Sequence, residues 1–163
     1  MGATFESPLS DAGRTIAQHK GKLLRAEKFR PVTVYTSTLS RAMETAELIV
    51  KELGVTPNFI TLAGLNERNF GKYEGKPYKE VLDAFEREGE DPDTIEPVEA
   101  FVTRVLSAWE QVIHAVEGTT LVVTHSNPEM VMQAVCTQPE MLQTFWELGD
   151  PAYCEGFTWN LQN

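Results

Sequence analysis

Cysteine is scarce in this 163-residue chain: Cys136 and Cys154 are its only two, and they form no CxxC pair. That excludes a disulfide framework and a cysteine zinc site. Basic residues are short as well, with 14 Lys and Arg against 24 Asp and Glu and a net charge of −10. This balance argues against nonspecific binding to nucleic acid or to an anionic membrane. It leaves room for a small anion, because a pocket's local field can oppose the net charge. No apolar run is long enough to span a bilayer and no signal peptide is visible, so the expected setting is the cytosol. Gly2 does not start a myristoylation motif, since Glu6 stands where Ser or Thr is wanted. No His, Asp and Glu cluster has ligand spacing, so neither a metal nor a cofactor is expected. Internal repeats, low-complexity segments and linkers are absent too.

What is present suits one domain with a real core: 42% hydrophobic and 23% charged residues. Met1 to Pro8 reads as a loop. Ser10 caps a helix running to about Arg25, with Ile16, Leu23 and Leu24 as its apolar contacts, while Gly13 invites close approach by another backbone. Val32 to Thr36 reads as a buried strand, followed by a helix that Gly54 ends. Thr56 to Thr61 is a second strand. Leu65 to Gly75 is an ordered loop, Pro77 starts a helix to about Arg87, and Glu88 to Pro92 is an exposed acidic loop. Pro97 to Val116 is the clearest helix, with Phe101, Val105, Trp109, Val112, Ile113 and Val116 on its core face. Thr119 to Thr124 is a strand buried on both faces; Ser126 or Asn127 caps the next helix, with Pro128 at its first position. A further helix covers Pro139 to Leu148, and Phe157 to Leu161 is a last edge strand. Strands alternating with helices imply a three-layer α/β/α sandwich on a mostly parallel sheet, occupying residues 1–163 as one domain.

Two junctions stand out. At each, a strand ends in a polar turn, a helix begins, and a basic side chain sits between: Arg41 after Thr36-Ser37-Thr38, and His125 before Ser126 and Asn127. In parallel α/β folds ligands bind beyond the carboxyl ends of strands. A turn that leads into a helix directs several backbone N–H groups at one spot, and an arginine fork adds donors suited to phosphate. Such a stretch is an oxyanion site or simply a capped surface helix. His125 is a phosphate ligand, a catalytic imidazole or a histidine that caps the core. Glu67 is a general acid with a pKa raised by burial, or a loop carboxylate bonded to backbone. His19 and His114 read as surface residues, and Glu74 and Asp11 as structural.

Four motifs in order narrow the choice: SPLSDAG (Ser7–Gly13), YTSTLSRAMETAELI (Tyr35–Ile49), LNERNFGKYEG (Leu65–Gly75) and LVVTHSNPEMV (Leu121–Val131). Together they resemble the histidine phosphatase superfamily, in its phosphoglycerate mutase-like branch, from about Ser7 to the C-terminus. The resemblance implies a phosphoglycerate mutase-like fold and a phosphomonoesterase or mutase-type phosphotransferase acting through a phosphohistidine. It makes Glu67 and His125 catalytic, and Arg41, Ser37, His125, Ser126 and Asn127 phosphate-binding. The partner is then a small phosphorylated substrate or inorganic phosphate.

Two departures accompany it. The family opens on a central strand ending in Arg-His-Gly, which supplies the nucleophile, and this motif occurs nowhere in the chain. Ser126 also stands where the family usually has glycine after the second histidine. The first departure leaves three readings: an enzyme whose chain begins upstream of Met1, a pseudoenzyme that binds a phosphorylated ligand or protein partner without turnover, or a remodelled fold. A vanished strand would strand buried backbone groups at about 1–3 kcal/mol each. The remaining inner strands are therefore expected to pair directly, and an unmatched sheet edge would favour a homodimer.

Overall fold

Three short β-branched runs become parallel strands of one sheet: β1 (Thr33–Thr36), β2 (Asn58–Thr61) and β3 (Thr120–Val123), in the order β2-β1-β3. The structure is a computed structural model that describes residues 2–4, 6–88, 91, 93–148 and 156. The expected strand Phe157–Leu161 lies outside them. β1 and β3 are direct hydrogen-bonded neighbours, with Thr33 opposite Thr120 and Thr36 opposite Val123.

Successive β1 side chains point to opposite faces, and each face receives its own helices. Val34 packs with Ala42, Ala46 and Val50 of α2 (Ser40–Leu53), while Ala17 of α1 (Asp11–Ala26) meets Ile49 and Leu53 behind it. On the other face Tyr35 joins Phe101, Val105, Trp109 and Val112 of α4 (Val98–His114) and Met130, Val131 and Ala134 of α5 (Ser126–Thr137). The result is helices, sheet, helices. A satellite cluster of Phe70, Tyr73, Val81, Ala84 and Ile95 seats α3 (Tyr78–Glu88) on the ordered loop that follows β2.

Several local expectations are corrected. In α1, Ile16 and Leu23 are 38% and 47% exposed, and the buried residues are Ala17 and Gly21. The reason is the closeness of α2: a Cβ on Gly21 would lie 2.8 Å from the Ile49 carbonyl oxygen and 2.7 Å from Glu52 Cβ. Gly13, by contrast, faces only Leu9 and Ser10 of its own helix start. Residues 139–148 form two 3₁₀ turns, Pro139–Met141 and Phe145–Leu148, instead of one helix. The break lets Phe145 turn inward to Phe101, with ring centroids 5.5 Å apart. β3 is buried only at Val123; Thr120, Leu121 and Val122 are half-buried, because among the described residues β3 has a strand neighbour on one side only.

The N-terminal cap of α1 is as expected, with Ser10 Oγ accepting the Gly13 N–H at 3.1 Å. Gly54 ends α2 at φ 68°, a left-handed conformation that favours glycine.

The Gly21 contact gives a direct test. Gly21→Val puts a branched side chain against backbone that cannot swing away, so it should cost about 1–3 kcal/mol despite better helix propensity. Urea denaturation would read it as a lowered midpoint, and an unchanged midpoint would mean that α1 and α2 are not so tightly apposed.

Candidate active site

β1 and β3 end level with each other, so the residues that leave them emerge side by side. Ser37 continues the ladder, its N–H donating to the Val123 carbonyl at 3.3 Å. Its side chain then lies 2.8 Å, Oγ to Nε2, from His125, the residue that precedes α5. Ser37 is fully buried and its hydroxyl oxygen also accepts the Leu39 N–H. Thr124, between strand and histidine, is fixed by donating its hydroxyl to the Leu65 carbonyl at 2.6 Å.

Arg41 is the second residue of α2, and its Nη2 donates to the Gly2 carbonyl at 2.9 Å. The same N-terminal segment is gripped from the other side by Glu74, whose carboxylate accepts the Ala3 N–H at 2.7 Å and the Thr4 N–H at 2.8 Å. Glu74 is thus structural, as expected, and these bonds help hold its carboxyl below the ordinary carboxylate range against the opposing effect of burial. Gly2 is where a side chain has no room: a Cβ there would meet the Glu74 carboxyl at 2.2 Å.

The start of α2 is not the anion cradle that its hydroxyl-rich approach suggests. Its backbone donors already have partners within the chain: Thr38 N–H on Asn66 Oδ1 at 2.9 Å, Leu39 N–H on Ser37 Oγ at 3.3 Å, and Ser40 N–H on Glu6 at 3.4 Å. Satisfied donors leave the helix end little to offer a ligand. The Arg41 guanidinium at this helix start is a planar fork of the kind that pairs with phosphate or carboxylate, with Nη2 engaged by the Gly2 carbonyl.

Glu67 sits in the loop after β2 and is 4% exposed. Its Oε1 accepts two hydrogen bonds, from the Arg68 N–H at 2.9 Å and from Asn127 Nδ2 at 2.8 Å. Asn127 therefore serves the carboxyl and is not the helix cap; His125 holds that position, and Ser126 opens the helix. Burial pushes the Glu67 carboxyl up in pKa, against the pull of these bonds and of the Arg41 and Arg104 charges. His125 goes the other way. Burial, reinforced by the positive charges of Arg41 and Arg104, lowers its imidazole to about 3. The site therefore brings together a guanidinium, a neutral imidazole bonded to a serine, and a carboxyl disposed to hold a proton. Both donors to Glu67 address Oε1.

Arg104, Glu96 and Asn66 escaped the sequence reading. Arg104 had a signal: it lies on the apolar stripe of α4, three residues after Phe101 and four before Ala108, both buried. A charge placed on such a stripe needs a partner. Among the described residues, no group of three or more His, Cys, Asp and Glu is arranged to hold a metal ion.

The sequence profile of the histidine phosphatase superfamily (branch 1) matches residues 1–151. The 2,3-bisphosphoglycerate-dependent phosphoglycerate mutase of Tropheryma whipplei (strain Twist) is 31% identical over 149 residues, covering 73% of this chain and 67% of the mutase. The metal-independent phosphoserine phosphatase of Arabidopsis thaliana is 33% identical over 132 residues, 74% of this chain and 55% of that protein. Among solved structures, Bacillus stearothermophilus YhfR is similar with a TM-score of 0.72 at 28% identity, over 87% of this chain and 74% of that one.

The depressed imidazole is directly measurable. His125 should titrate at about 3 in nitrogen NMR of the folded chain. In the unfolded chain it takes up its proton near the ordinary value of 6.5, so its contribution to stability declines as pH falls from 6.5 toward 3. Glu67 contributes with the opposite sign: its raised pKa favours the fold below 4.5, an advantage lost as pH rises. A folded-state His125 titration near 6.5 would contradict the enclosure described above.

Proposed function

The chain belongs to the histidine phosphatase superfamily (branch 1), and from that premise we propose that Arg41, Ser37, His125 and Glu67 handle the phosphoryl group of a small phosphate monoester. The observation that carries the reading is the convergence at the ends of β1 and β3. Ser37 lies 2.8 Å from His125, and the Arg41 charge acts on both His125 and Glu67. Arg41 binds the phosphoryl oxygens. When a histidine nucleophile forms its bond to phosphorus, the ester phosphorus–oxygen bond breaks, and Glu67 is the group that gives its proton to the departing oxygen so that the alcohol leaves neutral. His125 stabilises charge on the transferred group, and Ser37 holds the imidazole in place.

A dianionic phosphate beside His125 offsets the two arginine charges that depress the imidazole. Ligand binding and proton uptake by His125 are therefore coupled, and inorganic phosphate should raise the His125 pKa from about 3. Phosphate that left the imidazole titration unchanged would place the anion elsewhere. Asn127, bonded to Glu67, acts as a positioning group for the acid, and Ser126 contributes a hydroxyl beside the histidine.

The covalent route needs a nucleophile, and Arg-His-Gly is absent from these 163 residues. These 163 residues by themselves are therefore a phosphate-binding domain with little or no turnover. The Gly2 carbonyl bonds Arg41, so an Arg-His-Gly segment with its glycine at position 2 would bring its histidine to this cluster. Phosphatase and mutase share that first half-reaction. Cytoplasmic residence belongs to the same proposal, resting on the scarcity of cysteine; no described helix is long and apolar enough to cross a membrane.

A decisive experiment replaces Met1 with a hydrophobic strand ending in Arg-His, joined directly to Gly2. Hydrolysis of a generic phosphate monoester should appear, with label held on histidine and released by acid, and Arg41→Ala should abolish both. An extended, folded chain that forms no phosphoenzyme would overturn the proposal.

A further inference from the structure

Arg104 reaches from α4 beneath the Glu67 loop and uses every N–H of its guanidinium. Nη1 donates to the Gly64 carbonyl at 2.9 Å and to the Asn66 carbonyl at 2.8 Å. Nη2 donates to the Glu67 carbonyl at 2.8 Å and to Glu96 Oε2 at 2.8 Å, and Nε donates to Glu96 Oε1 at 2.6 Å. Five donors thus meet five acceptors, three of them backbone carbonyls within four residues of loop.

Glu96 completes the clamp from its other side. Its carboxylate accepts the Asn69 N–H at 3.1 Å, its carbonyl accepts Arg68 Nε at 2.9 Å, and its own N–H donates to the Asn69 carbonyl at 2.9 Å. The loop also lies flat on α4: a Cβ on Gly64 would come within 2.6 Å of Ala108 Cβ and 2.8 Å of the Arg104 carbonyl oxygen. Glu67 is consequently held at two points, its backbone carbonyl by Arg104 and its carboxyl by Arg68 N–H and Asn127.

We propose that Arg104, oriented by Glu96, is the positioning residue that sets the Glu67 carboxyl toward the phosphoryl group. The proposal rests on the reading of Glu67 as proton donor. Arg104 hydrogen-bonds the acid residue through its backbone carbonyl, and all five of its N–H groups are engaged by the protein. A planar fork is required, because a lysine ammonium offers three donors from one point and cannot span carbonyls on residues 64, 66 and 67 together with a carboxylate. The clamp has an electrostatic side as well. The charged groups that act on Glu67 are Arg41 from α2 and Arg104 from α4, both opposing burial; α5 contributes the neutral Asn127 amide, and Arg68 acts through its N–H.

The test follows Glu67 by carboxyl carbon NMR, and Asn127 by its side-chain amide signals, in the wild-type chain, Arg104→Lys, Arg104→Gln and Glu96→Gln. Arg104→Gln should raise the Glu67 titration, since a charge that lowers it is gone. Arg104→Lys keeps the charge but loses the fork, so the Asn127 amide signals should shift. Glu96→Gln should produce the same shift more weakly. If the variants fold and neither the Glu67 titration nor the Asn127 signals move, Arg104 is a structural residue only and the proposal is wrong. Should Arg104→Gln fail to fold, the other two variants still decide.

A kinetic arm uses the strand-extended chain, in which Arg104→Lys should lower kcat by roughly a hundredfold with KM little changed. An equal loss in KM would speak against positioning. No turnover by the extended parent would refute the proton-donor reading and leave the coupling of Arg104 to Glu67 to stand or fall on the spectra.

Discussion

The register between β1 and β3 is the constraint on which the rest of the structure depends. Because Thr36 stands opposite Val123, Ser37 and His125 leave the sheet at one level, although 88 positions separate them in the chain. A slip of one residue would turn both strands' side chains to the wrong faces. It would also break the two cores at once, since Val34 belongs to the cluster under α2 and Tyr35 to the one under α4 and α5. The serine–histidine contact is in this sense a by-product of core packing. Hydrophobic burial on two faces fixes the strands, and the strands aim the polar residues.

Against that frame of packed apolar groups, the electrostatics of the site follow from scarcity of water. Two arginines approach a carboxyl and an imidazole that the fold has largely removed from solvent. The imidazole loses its proton because burial and positive charge act in the same direction, whereas on the carboxyl they oppose each other and burial prevails. One environment thereby shifts a base and an acid both toward their neutral forms.

Much of this was legible from residue pattern. Alternating strands and helices foretold the layers, and strand-to-helix junctions marked Arg41 and His125, because backbone periodicity and caps are local properties. Glu67 was legible as a loop carboxylate with two readings, a proton donor or a backbone partner, and only the resemblance chose between them, since a loop residue has no periodicity to place it. The mispredicted pieces are those decided by distant partners. Ile16 and Leu23 look like core residues until Gly21 brings α1 against α2 through its small face. The start of α2 was open between an anion site and a capped helix, and Glu6 and Asn66 decide its backbone donors toward the second. Asn127 reads as a cap but answers to a carboxyl in another loop. In each case the sequence states what a residue can bond, and only the tertiary fold states what it meets.

The grip of Glu74 on the first residues bears on how the protein comes off the ribosome. Its bonds to Ala3 and Thr4 join positions 71 and 70 residues apart. Residues 2–4 are made earlier than the loop containing Glu74, and the Ala3 and Thr4 N–H groups gain this partner only when that loop has emerged. The His125 side chain is later still, its bond to Ser37 spanning 88 positions. Contacts of such separation close only after the intervening chain has condensed. The Arg41 bond to Gly2, spanning 39 positions, can therefore close before the His125 bond to Ser37, which waits for β3 to pair with β1. Until then the edge of β1 is open to whatever strand reaches it first.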